Sequence, residues 1–469
     1  MKKIISSVLL GCCTLLVQAQ SISIKRGIID KVMVGDSLSE SFSLYLPTDF
    51  SMDKEYPVLF VADLEGKGMQ SVAMFRNAAE KEGYIVAASE NLSDTLSLTQ
   101  NVLISGRVIS KVFSILPVNK KAIYGAGFDT GARLATAMPF FYNGFAGVLS
   151  CGEGITNPEM YADKAPLSFI GIVGKEDFNY SNMADLGKVL GKVKVNYNLL
   201  TFNGGHDWPP GDLLVDALSI FKIQAMAKQD IALDANYIEE KYKQDEQELS
   251  RLIQTNAYLE AYDLVERMMQ VYRLHKDVSM LKDQRKAIKS QKEYKAQKRV
   301  YTNTLYKEYL VREQLAVAVE EDVYTYNYNN LGWYTYQREQ FKKYTQSVNV
   351  EEKRMGYRLL GYMDALVDEN IGVYENNTLE DEEGLRYLWM LKTISAPDEY
   401  PAYLKVISNS AKNDDWGTAL FYTEELLKRG YKNKAELYSL QHTELLRISP
   451  EFNEIVAKYL EDARYLIED

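Results

Sequence analysis

Cysteine and histidine are scarce in this sequence of 469 residues, with three of each. Two of the cysteines, Cys12 and Cys13, lie in an apolar N-terminal stretch, so only Cys151 remains in the rest of the chain. A single cysteine excludes an internal disulfide bond and a cysteine-based metal site. We expect no metal and no other cofactor, since the three histidines are also far apart in the sequence.

Basic charge and long apolar runs are in short supply as well. The net charge is −11, which argues against a nucleic-acid partner. The one long apolar stretch is N-terminal, where Lys2 and Lys3 precede Ile4–Val17 and the small residue Ala19 follows. This pattern predicts a signal peptide over residues 1–19 and therefore export, to the periplasm or outside the cell. No later segment is long and apolar enough to cross a membrane.

The N-terminal stretch also contains Leu10-Gly11-Cys12, which loosely resembles a lipoprotein box. Apolar residues continue beyond Cys13, so removal of the whole segment is favoured over lipidation at Cys12. A lipid-anchored protein stays open as the alternative.

Proline and glycine divide the chain in two. No proline lies between Pro210 and Pro397, and 21 of the 28 glycines lie in residues 1–230. Because both residues punctuate turns, the first half is predicted to hold strands and turns and the second half long helices. We therefore predict two domains after the signal peptide, residues 20–228 and residues 229–469.

Apolar runs of strand length alternate with helix-length segments in the first half. The predicted strands are Ser41–Leu46 (half-exposed, from its alternation), Val58–Ala62, Ile85–Ala88, Ala122–Gly125, Phe145–Leu149, Leu167–Val173 and Val195–Thr201. The predicted helices are Ser71–Lys81, Asn101–Leu116, Gly131–Phe141 and Tyr180–Leu190. Continuous apolar strands between helices predict an α/β fold with a doubly wound, mostly parallel sheet.

Helical periodicity runs through the second half and predicts an all-α domain. One amphipathic helix is predicted at Tyr258–Tyr272, and another runs from Trp416 to Leu427 and is ended by Gly430. The region resembles tetratricopeptide-type repeats, most clearly near its end, although no strict period is visible. Such repeats stack into a solenoid that usually binds other proteins, so the resemblance implies a protein partner.

Reactive groups in doubly wound sheets collect on loops at the carboxyl ends of the strands. Three loops of this kind carry polar side chains here, and each directly follows a predicted strand. They are Gly127-Phe128-Asp129-Thr130-Gly131, Gly174-Lys175-Glu176-Asp177 and Asn203-Gly204-Gly205-His206-Asp207-Trp208.

With these loops, residues 22–228 resemble the α/β-hydrolase superfamily, and within it esterases similar to polyhydroxybutyrate depolymerases and feruloyl esterases. In that family a Gly-x-Ser-x-Gly elbow carries the nucleophile, and an acid and a histidine follow in that order. The resemblance implies that Asp129 stands at the nucleophile position, Asp177 is the acid and His206 is the base. It also implies no cap domain, because only about a dozen residues separate the sixth and seventh strands.

The departure from that pattern is Asp129, and no Gly-x-Ser-x-Gly occurs elsewhere in the chain. A serine attacks after losing a proton to histidine, whereas a carboxylate attacks only a centre with a good leaving group. Haloalkane dehalogenases and epoxide hydrolases use an aspartate at this elbow, but they follow it with tryptophan and carry a cap. Here Thr130 follows instead. His206 beside two carboxylates is biased towards its charged form, which is a poor general base.

The loop after the strand Val58–Ala62 is expected to supply the first oxyanion donor. Gly66 and Gly68 can expose backbone N–H groups there, and Thr130 can supply a second donor from the elbow. Asp63 and Glu65 place negative charge in the same loop, which disfavours acyl transfer.

Two sets of side chains in the helical half can be explained either by a structural role or by a binding function. The basic run Lys282–Arg299 is expected to be a solvated helix face, with contact to an acidic partner or surface as the alternative. The aromatic cluster Tyr324–Tyr336 is expected to pack between helices, with peptide or glycan binding as the alternative.

Two functions stay open at this point. The leading one is an exported α/β-hydrolase-family protein, esterase-like by resemblance, whose catalysis is impaired or altered at Asp129. A small ester or another small molecule is then the expected ligand, and a pseudoenzyme is favoured because the elbow serine is missing. The alternative is a non-catalytic scaffold that binds a ligand through the sheet and recruits a protein through the helices.

Overall fold

The structure, a computed structural model, describes most of the chain after the N-terminal stretch. The described residues are 25–35, 39–155, 157–164, 167–376, 381–461 and 463–465. The predicted signal peptide, residues 1–19, and the lipidation candidate Cys12 lie outside the described residues. None of the helices in the described part of the chain combines the length and the low charge needed to span a bilayer.

A single sheet forms the centre of the N-terminal α/β domain. Its strands are β1 (Ile29–Met33), β2 (Ser41–Tyr45), β3 (Tyr56–Ala62), β4 (Ile85–Ser89), β5 (Val118–Phe128), β6 (Phe145–Cys151), β7 (Ser168–Gly174) and β8 (Asn196–Phe202). They lie in the order β1-β2-β4-β3-β5-β6-β7-β8, and only the β1–β2 and β2–β4 pairs are antiparallel. The predicted mostly parallel sheet is confirmed. The carboxyl ends of β5, β7 and β8 therefore meet at one edge.

Helices cover both faces of this sheet, as a doubly wound fold requires. They are α1 (Gly68–Glu82), α2 (Leu98–Ile115), α3 (Thr130–Phe141), α4 (Tyr180–Lys192) and α5 (Gly211–Ala227). On one face α1 and α5 pack together, and Phe75 and Leu218 join the core there. On the other face Ile109, Leu134 and Leu190 bring α2, α3 and α4 into a second core. Apolar side chains on both sides explain why the strand sequences are continuous apolar runs.

The sheet differs from the sequence prediction at its antiparallel end. Strand β1 was not predicted, and Ser41–Leu46, predicted to be half-exposed, is buried along its whole length. The reason is that β2 lies between β1 and β4 in the sheet, and that its Phe42 and Leu44 pack into the core that α2 covers. Burial of the polar Ser43 is tolerated because its hydroxyl donates to Glu90 Oε1 at 2.5 Å.

The C-terminal part of the chain is all helical, as predicted. Its helices are α6 (Ala235–Gln254), α7 (Tyr258–Tyr272), α8 (Ser279–Ser290), α9 (Lys292–Thr325), α10 (Leu331–Thr345), α11 (Val350–Glu375), α12 (Glu382–Ser395), α13 (Tyr400–Lys412), α14 (Trp416–Lys428), α15 (Lys434–Ser439) and α16 (Pro450–Leu460). From α10 to α14 each helix packs against the next. The tetratricopeptide resemblance stays a prediction.

The first of these helices share a core with the sheet domain. Ile238 of α6 and Leu264 of α7 belong to the same buried cluster as Leu218 of α5. The predicted boundary at residue 228 lies between α5 and α6, but apolar side chains are continuous across it. The division into two domains at that residue stays a prediction.

The two sets of side chains singled out in the helical half have mixed surroundings. The basic run on α8 and α9 is largely exposed, with Arg285 paired to Glu266 at 3.0 Å. Within the aromatic cluster Tyr334 is fully buried, and its hydroxyl donates to Asp322 Oδ2 at 2.8 Å. Tyr324 and Tyr336 are instead exposed, 82% and 59% respectively, so helix packing explains only part of that cluster.

Candidate active site

The elbow is a tight turn between β5 and α3, with Asp129 at its tip. Asp129 has φ 48° and ψ −121°, a conformation that costs a non-glycine residue energy. The flanking glycines make the turn possible. A Cβ on Gly127 would lie 2.4 Å from the carbonyl of Gly131, and one on Gly131 would lie 2.2 Å from the carbonyl oxygen of Ala62. This strained strand–turn–helix geometry raises the Asp129 side chain above the sheet edge, as a nucleophile elbow does.

The acid loop (residues 175–179) follows β7 and holds Asp177 almost out of contact with solvent. The Asp177 side chain is 1% exposed. Its Oδ1 accepts the backbone N–H of Asn179 at 2.8 Å. The Asn179 amide donates in turn to the carbonyl of Gly152, after β6, at 2.8 Å. The carboxylate therefore has a fixed orientation, set by the loop that carries it and by the neighbouring strand end.

His206, on the loop after β8, lies between the two aspartates. Its Nδ1 is 3.0 Å from Asp177 Oδ2, and its Nε2 is 3.5 Å from Asp129 Oδ1. The structure thus brings together the three residues that the sequence singled out, although β5, β7 and β8 carry them far apart in the chain. Their catalytic roles stay a prediction.

The charges in this site favour a protonated histidine. Burial opposes the charged ring, but the hydrogen bonds and charges of Asp129 and Asp177 outweigh it and raise the pKa of His206 to about 9. The same contact acts on the other partner. The hydrogen bond from His206 lowers the pKa of Asp129 against the opposing effect of burial, and the backbone N–H of Thr130 and the charge of Arg133 lower it further. At neutral pH the site is therefore a cation held between two anions.

Two aromatic rings pack against the imidazole. The ring centroid of Phe128 lies 4.8 Å from that of His206, and the centroid of Phe178 lies 4.6 Å from it. A cationic ring gains from contact with aromatic faces, so both neighbours support the protonated form. Sequence reasoning missed these roles, although both phenylalanines adjoin residues that it had singled out, Asp129 and Asp177.

Arg133 is a second residue that the sequence did not single out. It lies one helical turn after Asp129 on α3, and its side chain pairs with Glu153 at 2.9 Å. Glu153, which follows β6, is therefore its ion-pair partner. The position of Arg133 four residues after Asp129, at the start of a helix, is the sequence feature that could have predicted a cation beside the elbow.

The predicted oxyanion loop adjoins the elbow but is engaged in contacts of its own. Gly66 donates its N–H to the carbonyl of Asp63 at 3.3 Å. The carboxylate of Asp63 accepts the N–H of Glu65 at 2.9 Å and the hydroxyl of Ser71 at 2.6 Å, and Glu65 pairs with Lys67. These contacts lead into α1, which begins at Gly68. Both acids of the loop thus have partners within it, and the Gly66 N–H already has an acceptor.

The described residues around the site do not form a cluster of metal ligands. Within the described ranges no group of three or more histidine, cysteine, aspartate or glutamate side chains is placed to hold a metal ion. His275 is engaged elsewhere, with its Nε2 2.9 Å from the carbonyl oxygen of Ile223. Cys151 is free and fully buried below the elbow, and burial raises the pKa of its thiol.

The sequence matches no protein-family model and no curated protein. Several solved structures are similar to part of it. Est1E from Butyrivibrio proteoclasticus is 13% identical, covers 42% of this chain and 99% of its own, and gives a TM-score of 0.35. Esterase 2 of Thermogutta terrifontis, phosphorylated by paraoxon, is 14% identical, covers 44% and 96%, and gives 0.34. S-formylglutathione hydrolase of Staphylococcus aureus is 17% identical, covers 42% and 98%, and gives 0.34. At these values the likeness says nothing about what this chain acts on.

Proposed function

We propose that this chain is an exported protein of the α/β-hydrolase type, esterase-like in its frame, that does not carry out acyl transfer. The observation that supports this most is the environment of His206, whose two ring nitrogens each face a carboxylate, at 3.0 and 3.5 Å. In this proposal Asp177 keeps the position of the acid and His206 that of the base. Asp129 takes the place of the nucleophile and turns the triad into an ionic one.

A serine hydrolase needs a neutral imidazole, because the ring must take the proton of the attacking hydroxyl. With the pKa of His206 near 9, both of its nitrogens carry protons at neutral pH. The ring then has no lone pair with which to accept a third proton. The backbone N–H of Thr130, which in this fold faces the oxyanion, acts here on the carboxylate of Asp129.

Hydrolysis through Asp129 itself meets the same obstacle in its second step. The carboxylate can displace a good leaving group and form an ester, but a base must then activate water to cleave it. Forming the ester removes the charge of Asp129 and so lowers the pKa of His206, but the Asp177 carboxylate still favours the protonated ring, so this route should be slow at neutral pH and speed up as the pH rises. The segment between β6 and β7 also offers no cap, because its described residues hold only a short 3₁₀ helix, Pro158–Lys164.

The alternative function is a scaffold that binds a ligand at the ionic site and recruits a protein through its helices. Two observations favour it. The Asp129 side chain is still 38% exposed, so a small polar molecule can reach the site. Tyr324 and Tyr336 project from the helical part, and exposed tyrosines of this kind are enriched at protein interfaces.

Hydrolysis of short-chain nitrophenyl esters by the mature chain, residues 20–469, tests the proposal. The assay compares the parent with Asp129→Ala and Asp129→Ser at pH 7.5 and pH 9.5. Asp207→Ser is the matched control, because Asp207 is an exposed aspartate beside His206 that takes no part in the triad. We expect no turnover by the parent, Asp129→Ala or Asp207→Ser at pH 7.5, and measurable turnover by Asp129→Ser.

Other outcomes of this assay contradict the proposal in different ways. Turnover by the parent at pH 7.5 that disappears in Asp129→Ala would establish an aspartate-dependent enzyme. An inactive Asp129→Ser variant that retains its fold would show that more than the elbow residue has been lost, and would favour the scaffold.

A further inference from the structure

One face of α11 lies along the candidate site, although this helix is more than 140 residues away from His206 in the chain. Its residues 354, 358, 361 and 369 fall at helical spacing on one side. Arg354 donates to the side-chain oxygen of Asn203, on the His206 loop, at 3.1 Å. Glu369, further along, helps to raise the pKa of Arg133 against burial, together with the nearer Glu153 and Asp129. The helix thus contacts the histidine loop through Arg354, and Glu369 adds negative charge on the side of Arg133 of α3.

Arg358 ties α11 to the acid loop from inside the protein. Its side chain is 1% exposed, as is that of Glu308 on α9, with which it pairs at 2.6 Å. A second nitrogen of the same guanidinium donates to the backbone carbonyl of Lys175 at 2.8 Å. A buried ion pair is stable only if its hydrogen-bonding groups are held in well-defined positions. The Lys175 carbonyl of the acid loop is one of the groups held by Arg358 in this way.

Arg312 on α9 holds the same loop one residue beyond Asp177. One of its nitrogens donates to the carbonyl of Phe178 at 3.0 Å and to the hydroxyl of Ser181 at 2.7 Å. Its guanidinium stacks 4.0 Å from the ring centroid of Tyr362 on α11. The backbone of Phe178, whose ring packs against that of His206, is therefore bonded directly to the helical half.

Gly361 completes the contact at the ring itself. A Cβ on Gly361 would lie 3.3 Å from Cδ1 and 3.4 Å from Cβ of Phe178, so the Phe178 side chain packs against the backbone of α11. Phe178 is thus sandwiched between α11 and the imidazole of His206.

We propose that α9 and α11 act as the cap of the candidate site, supplied by the C-terminal half of the chain, and that they set the position of His206 through the acid loop and Phe178. Arg312 and Arg358 are positioning residues in this arrangement, because they act through the acid-loop backbone and not on a bound molecule. In capped α/β-hydrolases the cap is inserted after the sixth strand. Here helices that follow the last strand contact the acid loop and the His206 loop at that edge of the sheet.

This inference concerns the same histidine as the proposed function but does not depend on turnover. The absence of esterase activity would not contradict it. Its test reads the imidazole of His206 directly, so that failure of the cap and failure of the hydrolase frame are distinguishable.

The test compares Gly361→Ala with Gly372→Ala by NMR of the histidine ring Cε1–Hε1 groups in the full mature chain. Both are glycine-to-alanine changes on α11, but a Cβ at Gly372 has nothing within 4 Å. The protein has three histidines, so the spectrum holds three ring signals. We expect Gly361→Ala to move the His206 signal and its titration midpoint, while Gly372→Ala leaves both in place. Alanine has a higher helix propensity than glycine, so neither change weakens α11 itself.

A second variant keeps the test decisive if Gly361→Ala does not fold. Arg312→Lys retains the positive charge beside Glu308, but its side chain ends one atom short of the Nη1 nitrogen that donates to Phe178 and Ser181, and it loses the flat contact with Tyr362. It is expected to move the same His206 signal. An unchanged His206 signal in the folded Gly361→Ala or Arg312→Lys protein would overturn the proposal, as would an equal change in Gly372→Ala.

Discussion

Removing the charge of Asp129 gives the most direct measure of the electrostatics in this site. Asp129→Asn keeps the shape of the side chain and leaves Asp177 as the only carboxylate at His206. At an effective dielectric constant of about 20, two unit charges 3.5 Å apart attract by roughly 5 kcal/mol. The Asp129 side chain is 38% exposed, so we discount this to about 2 kcal/mol for screening. The pKa of His206 should then fall by about 1.5, since one pKa unit corresponds to about 1.4 kcal/mol.

NMR titration of the histidine Cε1–Hε1 signals measures this change. His206→Gln assigns the signal, and Asp185→Asn is the control for net charge, because Asp185 is an exposed partner of Lys188 on α4. We expect a midpoint near 9 in the parent, a clearly lower one in Asp129→Asn and no change in Asp185→Asn. A parent midpoint at or below the 6.5 of a free histidine would refute the ionic triad. So would a midpoint that does not respond to Asp129→Asn.

Three further predictions follow from the same contacts. The folded pKa of His206 lies above its unfolded value of 6.5, so the stability that His206 contributes is full below pH 6.5 and is lost as the pH rises through about 9. Urea unfolding should therefore show that the free energy of unfolding falls by up to about 3 kcal/mol over this range, and that the fall is absent in His206→Gln. Equal pH profiles for the two proteins would contradict this prediction. Gly131→Ala should destabilise the fold by about 3 kcal/mol or more in the same assay, because its Cβ would lie 2.2 Å from the carbonyl oxygen of Ala62. An unfolding midpoint equal to that of the wild type would show that the elbow does not require glycine at this position. Arg358→Met should cost about 3 kcal/mol by removing the nearer of the two cations beside the buried Glu308, since Arg312 remains at 3.7 Å, and Arg358→Met with Glu308→Leu should recover part of it; a double variant as unstable as the single one would contradict this.

The sheet and the order of the site residues could be predicted from the sequence because both depend on local patterns. Apolar runs such as Val58–Ala62 are buried on both sides and identify themselves as central strands. Asp129, Asp177 and His206 directly follow such strands, and parallel strands place their carboxyl ends at one edge. The strand β1 was not predicted because it has only five residues at the rim of the sheet, and their sequence, Ile-Asp-Lys-Val-Met, is neither a continuous apolar run nor a regular alternation.

What the sequence could not predict depends on contacts between distant parts of the chain. Nothing in the pattern around Arg358 distinguishes it from a solvated arginine on an amphipathic helix. Its burial follows from the docking of α11 on the acid loop, and the partner Glu308 is 50 residues away. Likewise Phe178 reads as a loop residue until His206 on one side and Gly361 on the other are seen to enclose it.

The central claim is that Asp129 makes this site ionic and prevents it from working as an esterase, and covalent capture tests it most directly. The parent, Asp129→Ser and Asp129→Ser with His206→Gln are treated with a serine-directed diethyl nitrophenyl phosphate, and the intact mass of each is measured. We predict one phosphoryl adduct on residue 129 of Asp129→Ser and none on the parent or on the variant without His206. An adduct on the parent at Asp129, or a folded Asp129→Ser protein that stays unlabelled, would contradict it.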